Sequence, residues 1–190
     1  ATTGELLFDP YVIIDRGTLK VGIIGLTNLV PDTMKTITVD DYQKAGKDFI
    51  TDIKNKVDIV VLMVNSDRNS YKSLPDEFPD ADFIYVSGST MRTRPNMPQK
   101  NGGPYLYSNG KQGKYLTVID LDVKSGEEPI IDVSSIQDKK KSFNRRLDRL
   151  QKKDPDKQLE EIYANQENVL SLIERYRKGL FEAEAALAAA

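Results

Sequence analysis

The sequence predicts an α/β fold, in which parallel βαβ layers continue into antiparallel strands and a helical hairpin follows. Three observations carry this. Residues 57–67 read VDIVVLMVNSD, a β-branched run without alternation that closes on polar residues; such a run is the pattern of a strand buried on both faces of a helix-covered parallel sheet. A second apolar run precedes it at residues 19–27, and the segment between them carries apolar residues at helical spacing, so strand, helix and strand form a right-handed crossover. From Asp138 onward charged residues dominate, and two stretches, 143–150 and 159–180, carry apolar residues mostly in steps of three and four, as amphipathic helices require.

The elements follow in order. Residues 6–15, with Pro10 among them, read as an edge strand because proline cannot donate to a ladder. Arg16-Gly17-Thr18 turns the chain into LKVGIIGLT, where Gly22 and Gly25 mark close packing or close backbone approach. After a loop over 28–37, Thr38 is the expected N-cap of a helix, with Asp40 and Asp41 in its first turn and Tyr42, Ala45, Phe49, Ile50 and Ile53 along one face. Residues 66–80, with Pro75 and Pro79, are expected to be loop with one short helical turn at most. DFIYV at 82–86 is a third strand, ending in Ser87-Gly88-Ser89-Thr90 and a basic loop over 91–100. Asn101-Gly102 marks a turn. Residues 104–108 and 115–123 then read as two strands; the second places Ile119, Leu121 and Val123 against Asp120 and Asp122. A hairpin turn at 124–127 and a return strand at 129–133 complete a domain over 1–137.

Residues 138–190 form the second part. Helix one, over 139–153, has only Phe143, Leu147 and Leu150 as apolar residues. Asp154-Pro155-Asp156 should break it and start helix two, with Asp154 as N-cap and Pro155 at the first helical position. Leu159, Ile162, Gln166, Val169, Ile173, Tyr176 and Leu180 then repeat in steps of three and four, a coiled-coil-like seam with one polar member. This seam packs on helix one and the sheet domain, or it is a surface for a protein partner or a second copy, since the stripe on helix one is too short to cover it.

Composition removes several function classes. With 27 basic and 29 acidic residues the net charge is −2, so nothing global attracts nucleic acid or an anionic membrane. The local excess over 138–157, nine basic against four acidic residues, is of a kind common on solvated helix faces, and no nucleic-acid partner is expected. No apolar run approaches the ~20 residues that span a bilayer. The chain has no cysteine and no histidine, which excludes a thiolate metal site, a Ser-His-Asp triad and a histidine-rich metal centre. A start at ATTGELLF, without an initiator methionine, suggests a processed chain or a fragment.

Four phrases occur here in the order they take in the 5′-nucleotidase branch of the metallophosphoesterase (calcineurin-like) superfamily: KVGIIGLT at 20–27, DIVVLMVN at 58–65, SGSTM at 87–91 and GKQGKYL at 110–116. The chain resembles the C-terminal half of that catalytic domain over residues 4–133. The resemblance implies a half of a layered sandwich, an extracytoplasmic (periplasmic or cell-surface) location, and a site where three histidines of this half join ligands of an N-terminal half around two divalent metals. By motif position those histidines are replaced by Asn65, Ser89 and Met91. Amide and hydroxyl oxygens are weak neutral ligands and a thioether suits only soft metals. No metal or other cofactor is therefore expected, and no catalytic residue.

Asn65, Asp67 and Arg68, at the carboxyl end of the central strand, and Ser89, Thr90 and Arg92, at the end of the next, sit where open α/β sheets place ligands. They form either a residual anion-binding cleft or ordinary polar loop ends. The leading expectation is a catalytically degenerate domain with a structural or assembly role. The alternatives are a metal-dependent phosphoesterase whose remaining site residues lie outside this chain, and a docking or linker module for a following domain.

Overall fold

The computed structural model describes residues 5–123 and 129–190; the expected turn at 124–127 lies outside them. They fall into two compact units that divide between residues 130 and 131, with 94–98 belonging to the second.

In the first unit five strands stand in sequence order, β1 (Tyr11–Asp15), β2 (Lys20–Thr27), β3 (Ile59–Asn65), β4 (Phe83–Ser87) and β5 (Tyr105–Tyr107). β1 runs antiparallel to β2 and every other neighbouring pair is parallel. The mixed α/β class is thus as the sequence predicts, but the antiparallel pair lies at the opposite edge. β5 joins parallel to β4, and neither 115–123 nor 129–133 is a strand. Alternation supplies a face for a strand, not a partner, and among the described residues no neighbouring strand offers one here.

Helix α1 (Tyr42–Ile53) starts three residues later than the sequence suggests, because Asp41 and not Thr38 caps it: the Asp41 carboxylate accepts the N–H groups of Gln43 and Lys44 at 2.9 and 3.0 Å. Between β3 and β4 a 3-10 turn (Ser70–Lys72) runs into a one-turn helix α2 (Leu74–Glu77), slightly more helix than expected. α1 and α2 lie on the same face of the sheet, where Ile24, Ile50, Ile53, Leu62, Leu74, Phe78 and Ile84 are at most 2 % exposed. Each such side chain contributes about 1.5–3 kcal/mol by leaving water. Gly22 serves close packing as anticipated, since a Cβ there would stand 2.6 Å from Ile53 Cδ1, whereas Gly25 has open space above it.

The other face of the sheet has no helix of this unit on it. Gly25, Met63, Tyr85 and Tyr107 form one row across four strands, and Met63 is 55 % exposed. The run at 57–67 is therefore not buried on both faces: its even-numbered residues Val60, Leu62 and Val64 are buried, while coverage of the second face stops at a smaller cluster of Ile59, Phe83 and Tyr105 with Ile119 and Ile130 against it.

Two aspartates fix the strand starts by the same device. Asp58 accepts the Lys20 N–H at 2.7 Å and returns its own N–H to Lys20 O at 2.9 Å. Asp82 does likewise with Val60, at 2.7 and 3.0 Å. Burial pushes the Asp82 carboxyl above the usual carboxylate range, against the opposing pull of the Val60 N–H. A raised folded-state pKa means that its contribution to stability is full below the unfolded value and is lost as pH rises through the folded one. Asp82→Asn keeps the acceptor and should flatten that loss, while Asp82→Ala should cost about 1–3 kcal/mol by orphaning a buried N–H. Urea titrations of both variants at pH 4 and 8 check this; equal pH slopes in Asp82→Asn and the parent contradict it.

The second unit is a helical hairpin of α3 (Ser134–Gln151) and α5 (Glu167–Ala188), with the short α4 (Leu159–Ile162) between them. The expected single helix from Asp154 is corrected. The Asp154 carboxylate pairs with Lys157 at 3.0 Å, and Gln151 Nε2 donates to the carbonyls of Asp154 and Lys157 at 2.8 and 2.7 Å. That closes a turn instead of opening a helix. Gln166 is the N-cap of α5 and exposed, so the seam is broken there: Leu159 and Ile162 lie on α4, and Val169, Ile173, Tyr176 and Leu180 on α5. Leu159, Tyr163 and Ile173 form the hairpin's core with Leu147, Leu150, Ile162 and Val169, and Phe143 stacks at a tilt on Tyr176, centroids 6.2 Å apart. Leu159, Ile162, Val169, Ile173 and Tyr176 of the seam are thus used within the hairpin.

Candidate functional site

Parallel strands bring their carboxyl ends to one edge, and hydrogen bonds tie those ends together. Asn28 N–H donates to Asn65 O at 3.0 Å and Ser66 N–H to Ser87 O at 3.1 Å. Gly88 lies between them with φ +85°, and a Cβ there would stand 2.6 Å from Ser66 O and 2.9 Å from Asn65 Oδ1. Only glycine admits that backbone at that separation without strain. Asn65 and Gly88 are therefore brought together.

The remaining candidates turn elsewhere. Asp67 Oδ1 accepts the N–H groups of Ser70 and Asn69 at 2.9 and 2.8 Å and the Ser70 hydroxyl at 3.1 Å. The Ser70 backbone bond above all holds its carboxyl below the usual carboxylate range; it closes a turn that leads into the 3-10 segment, whose N-cap is Asn69. Arg68 and Thr90 are exposed. Ser89 is 4 % exposed, and its hydroxyl accepts the Met91 N–H at 3.1 Å. The Arg92 guanidinium lies 3.4 Å over the Tyr115 ring, a cation–π contact, and its backbone bridges to Asn109.

Beside this edge, on the open face of the sheet, is a cavity of about 650 Å³ bordered by Gly25, Met63, Asn65, Tyr85, Tyr107 and Asn109 among others. Of the six candidate residues only Asn65 lines it, and among the described residues its sole charged lining residue is Asp9. A cleft that held an anion would need a cation or converging N–H donors in its wall, and among the described residues no lysine or arginine lines this one.

A divalent metal pair does not fit these residues. Among the described residues no three of Asp, Glu, His or Cys converge. Asp67 is committed to backbone donors, and Ser89 to the Met91 N–H. Sequence reasoning missed two features of the edge. The open row from Gly25 to Tyr107 was hidden because an unalternating run reads as doubly buried. Asn28, directly after β2, buries its side-chain oxygen with no hydrogen-bond partner among the described residues; its only sequence signal is an amide at a strand end.

No family model matches the chain, and no curated protein matches it. Among solved structures it is similar to the crystal structure of a hypothetical protein from Thermus thermophilus, at 15 % identity and a TM-score of 0.42 over 57 % of this chain. The chain spans 42 % of that neighbour's length.

Proposed function

We propose that the chain is a catalytically degenerate, metallophosphoesterase-like domain, extracytoplasmic in location, whose role is structural or in assembly. One observation carries the reading: the strand framework of residues 20–27, 59–65 and 83–87 is intact and in register, while the positions that match metal ligands by motif hold an amide, a committed hydroxyl and a thioether. Two-metal hydrolysis needs ions ~3.5–4 Å apart, held by charged or imidazole ligands, to make hydroxide and clamp phosphoryl oxygens. Incubation with manganese or zinc and p-nitrophenyl phosphate or a nucleotide should give no turnover above buffer. Turnover that a chelator abolishes would overturn the reading.

The open sheet face favours a second reading, an esterase half completed by polypeptide outside this chain. Parallel sheets are covered on both faces, and the row through Met63 and Tyr85 is ready for a second layer. The losses at 65, 89 and 91 weigh against catalysis even then. The helical hairpin as a docking or linker module for a following domain is a third reading; deleting 131–190 without change in assembly would remove it.

A further inference from the structure

We propose that residues 114–122 pair with the same residues of a second copy of this chain, antiparallel about Val118, forming an intermolecular two-stranded ladder. This names a partner for the assembly role above and rests on that reading. The segment KYLTVIDLD has strand composition and alternation, yet it is not a strand, and among the described residues no backbone N–H or C=O of 115–123 is hydrogen-bonded. Leu116 and Val118 are 85 and 70 % exposed, while Ile119 packs on the Ile59, Phe83 and Tyr105 cluster. The segment is thus held through side chains only, Tyr115 under Arg92, Thr117 on Asn109 and Ile119 on that cluster, while its strand-competent backbone is left unpaired, the condition under which edges recruit another chain.

Charge selects a second copy as occupant, and charge together with ladder length fixes the register. About Val118, Lys114 stands across from Asp122 twice, Asp120 across from Leu116, and Val118 across from itself; opposite charges in facing positions stabilise a ladder and like charges oppose it. Centring on Ile119 would put Lys114 opposite Lys124, and centring on Asp120 would put that carboxylate opposite itself. Centring on Thr117 would also face opposite charges, Lys114 across from Asp120, but it shortens the ladder, because Gln112 and Gly113 have φ of +67° and +60° and cannot extend it. The contact is isologous, so it closes as a dimer.

The absence of cysteine makes the test direct. Val118→Cys puts one thiol on the two-fold axis and Leu116→Cys puts one off it, both at exposed positions. Under mild oxidation of the full chain the first should form a disulfide-linked dimer at least about tenfold faster than the second, since facing Cβ atoms approach ~4.5–5.5 Å and diagonal ones do not. In sedimentation equilibrium the unmodified chain should dimerise, Lys114→Glu should weaken that about tenfold, and Lys114→Glu with Asp122→Lys should restore it. A monomer at every concentration, equal cross-linking rates, or a dimer indifferent to Lys114→Glu would each overturn the proposal. A monomer would leave the phosphate-ester result untouched, so the two readings fail separately.

Discussion

Phe78→Ala should lower the stability of the sheet unit by about 3–5 kcal/mol, the range for truncating a fully buried phenylalanine. Its ring is 0 % exposed, 6.2 Å from the Tyr42 ring centroid, and so close over α1 that a Cβ on Gly46 would come within 2.5 Å of Cε1. A domain of ordinary stability has only about 5–15 kcal/mol to lose, so urea unfolding followed by far-UV circular dichroism should shift by a large share of its midpoint. The same geometry predicts coupling. Gly46→Ala alone meets Phe78 and also Leu26 Cδ1 at 2.7 Å; in the Phe78→Ala background the first obstacle is gone and Leu26 can rotate. The second substitution should therefore cost less in the double variant than in the parent. Strict additivity would show that Phe78 does not pack on Gly46 in this way.

Gly88→Ala should cost at least about 1–2 kcal/mol from its left-handed backbone alone. The clash with Ser66 O at 2.6 Å adds to that, because a main-chain carbonyl at a strand end cannot step aside as a side chain can. The damage should be local: the exchange protection of Ser66 N–H, which donates to Ser87 O, should fall, while that of α1 persists. A loss below about 0.5 kcal/mol, the scale of an inert surface substitution, would mean that the strand ends are not joined through this glycine.

How much of this was legible beforehand differs from element to element. The runs at 20–27, 59–65 and 83–87 could be read because short β-branched apolar runs without alternation have few other uses. The helix at 42–53 could be read to within its cap, since Asp40, Asp41 and Thr38 are all competent capping residues and only the backbone path decides among them. Residues 115–123 misled. Their alternation is genuine, but a strand exists only when a neighbour takes its hydrogen bonds, and the neighbour is not written in the segment. The second helix misled for a related reason: a spacing of three and four persists across a break when two short helices present the same face to one core, as Leu159 and Ile173 do.

At the strand edge the chemistry of the candidates was legible, and their employment was not. The sequence by itself determined that no imidazole or thiolate is present, that three parallel strands include a pair joined by a crossover helix, and that Asn65 and Gly88 lie at the same edge, because these depend on residue type and local pattern. The tertiary structure alone decided that Asp67 caps a turn, that Arg92 covers Tyr115 and not a cavity, and that one face of the sheet stays open at Met63. Each of those depends on which group meets which across long stretches of chain, and such meetings are set by packing, which no local pattern encodes.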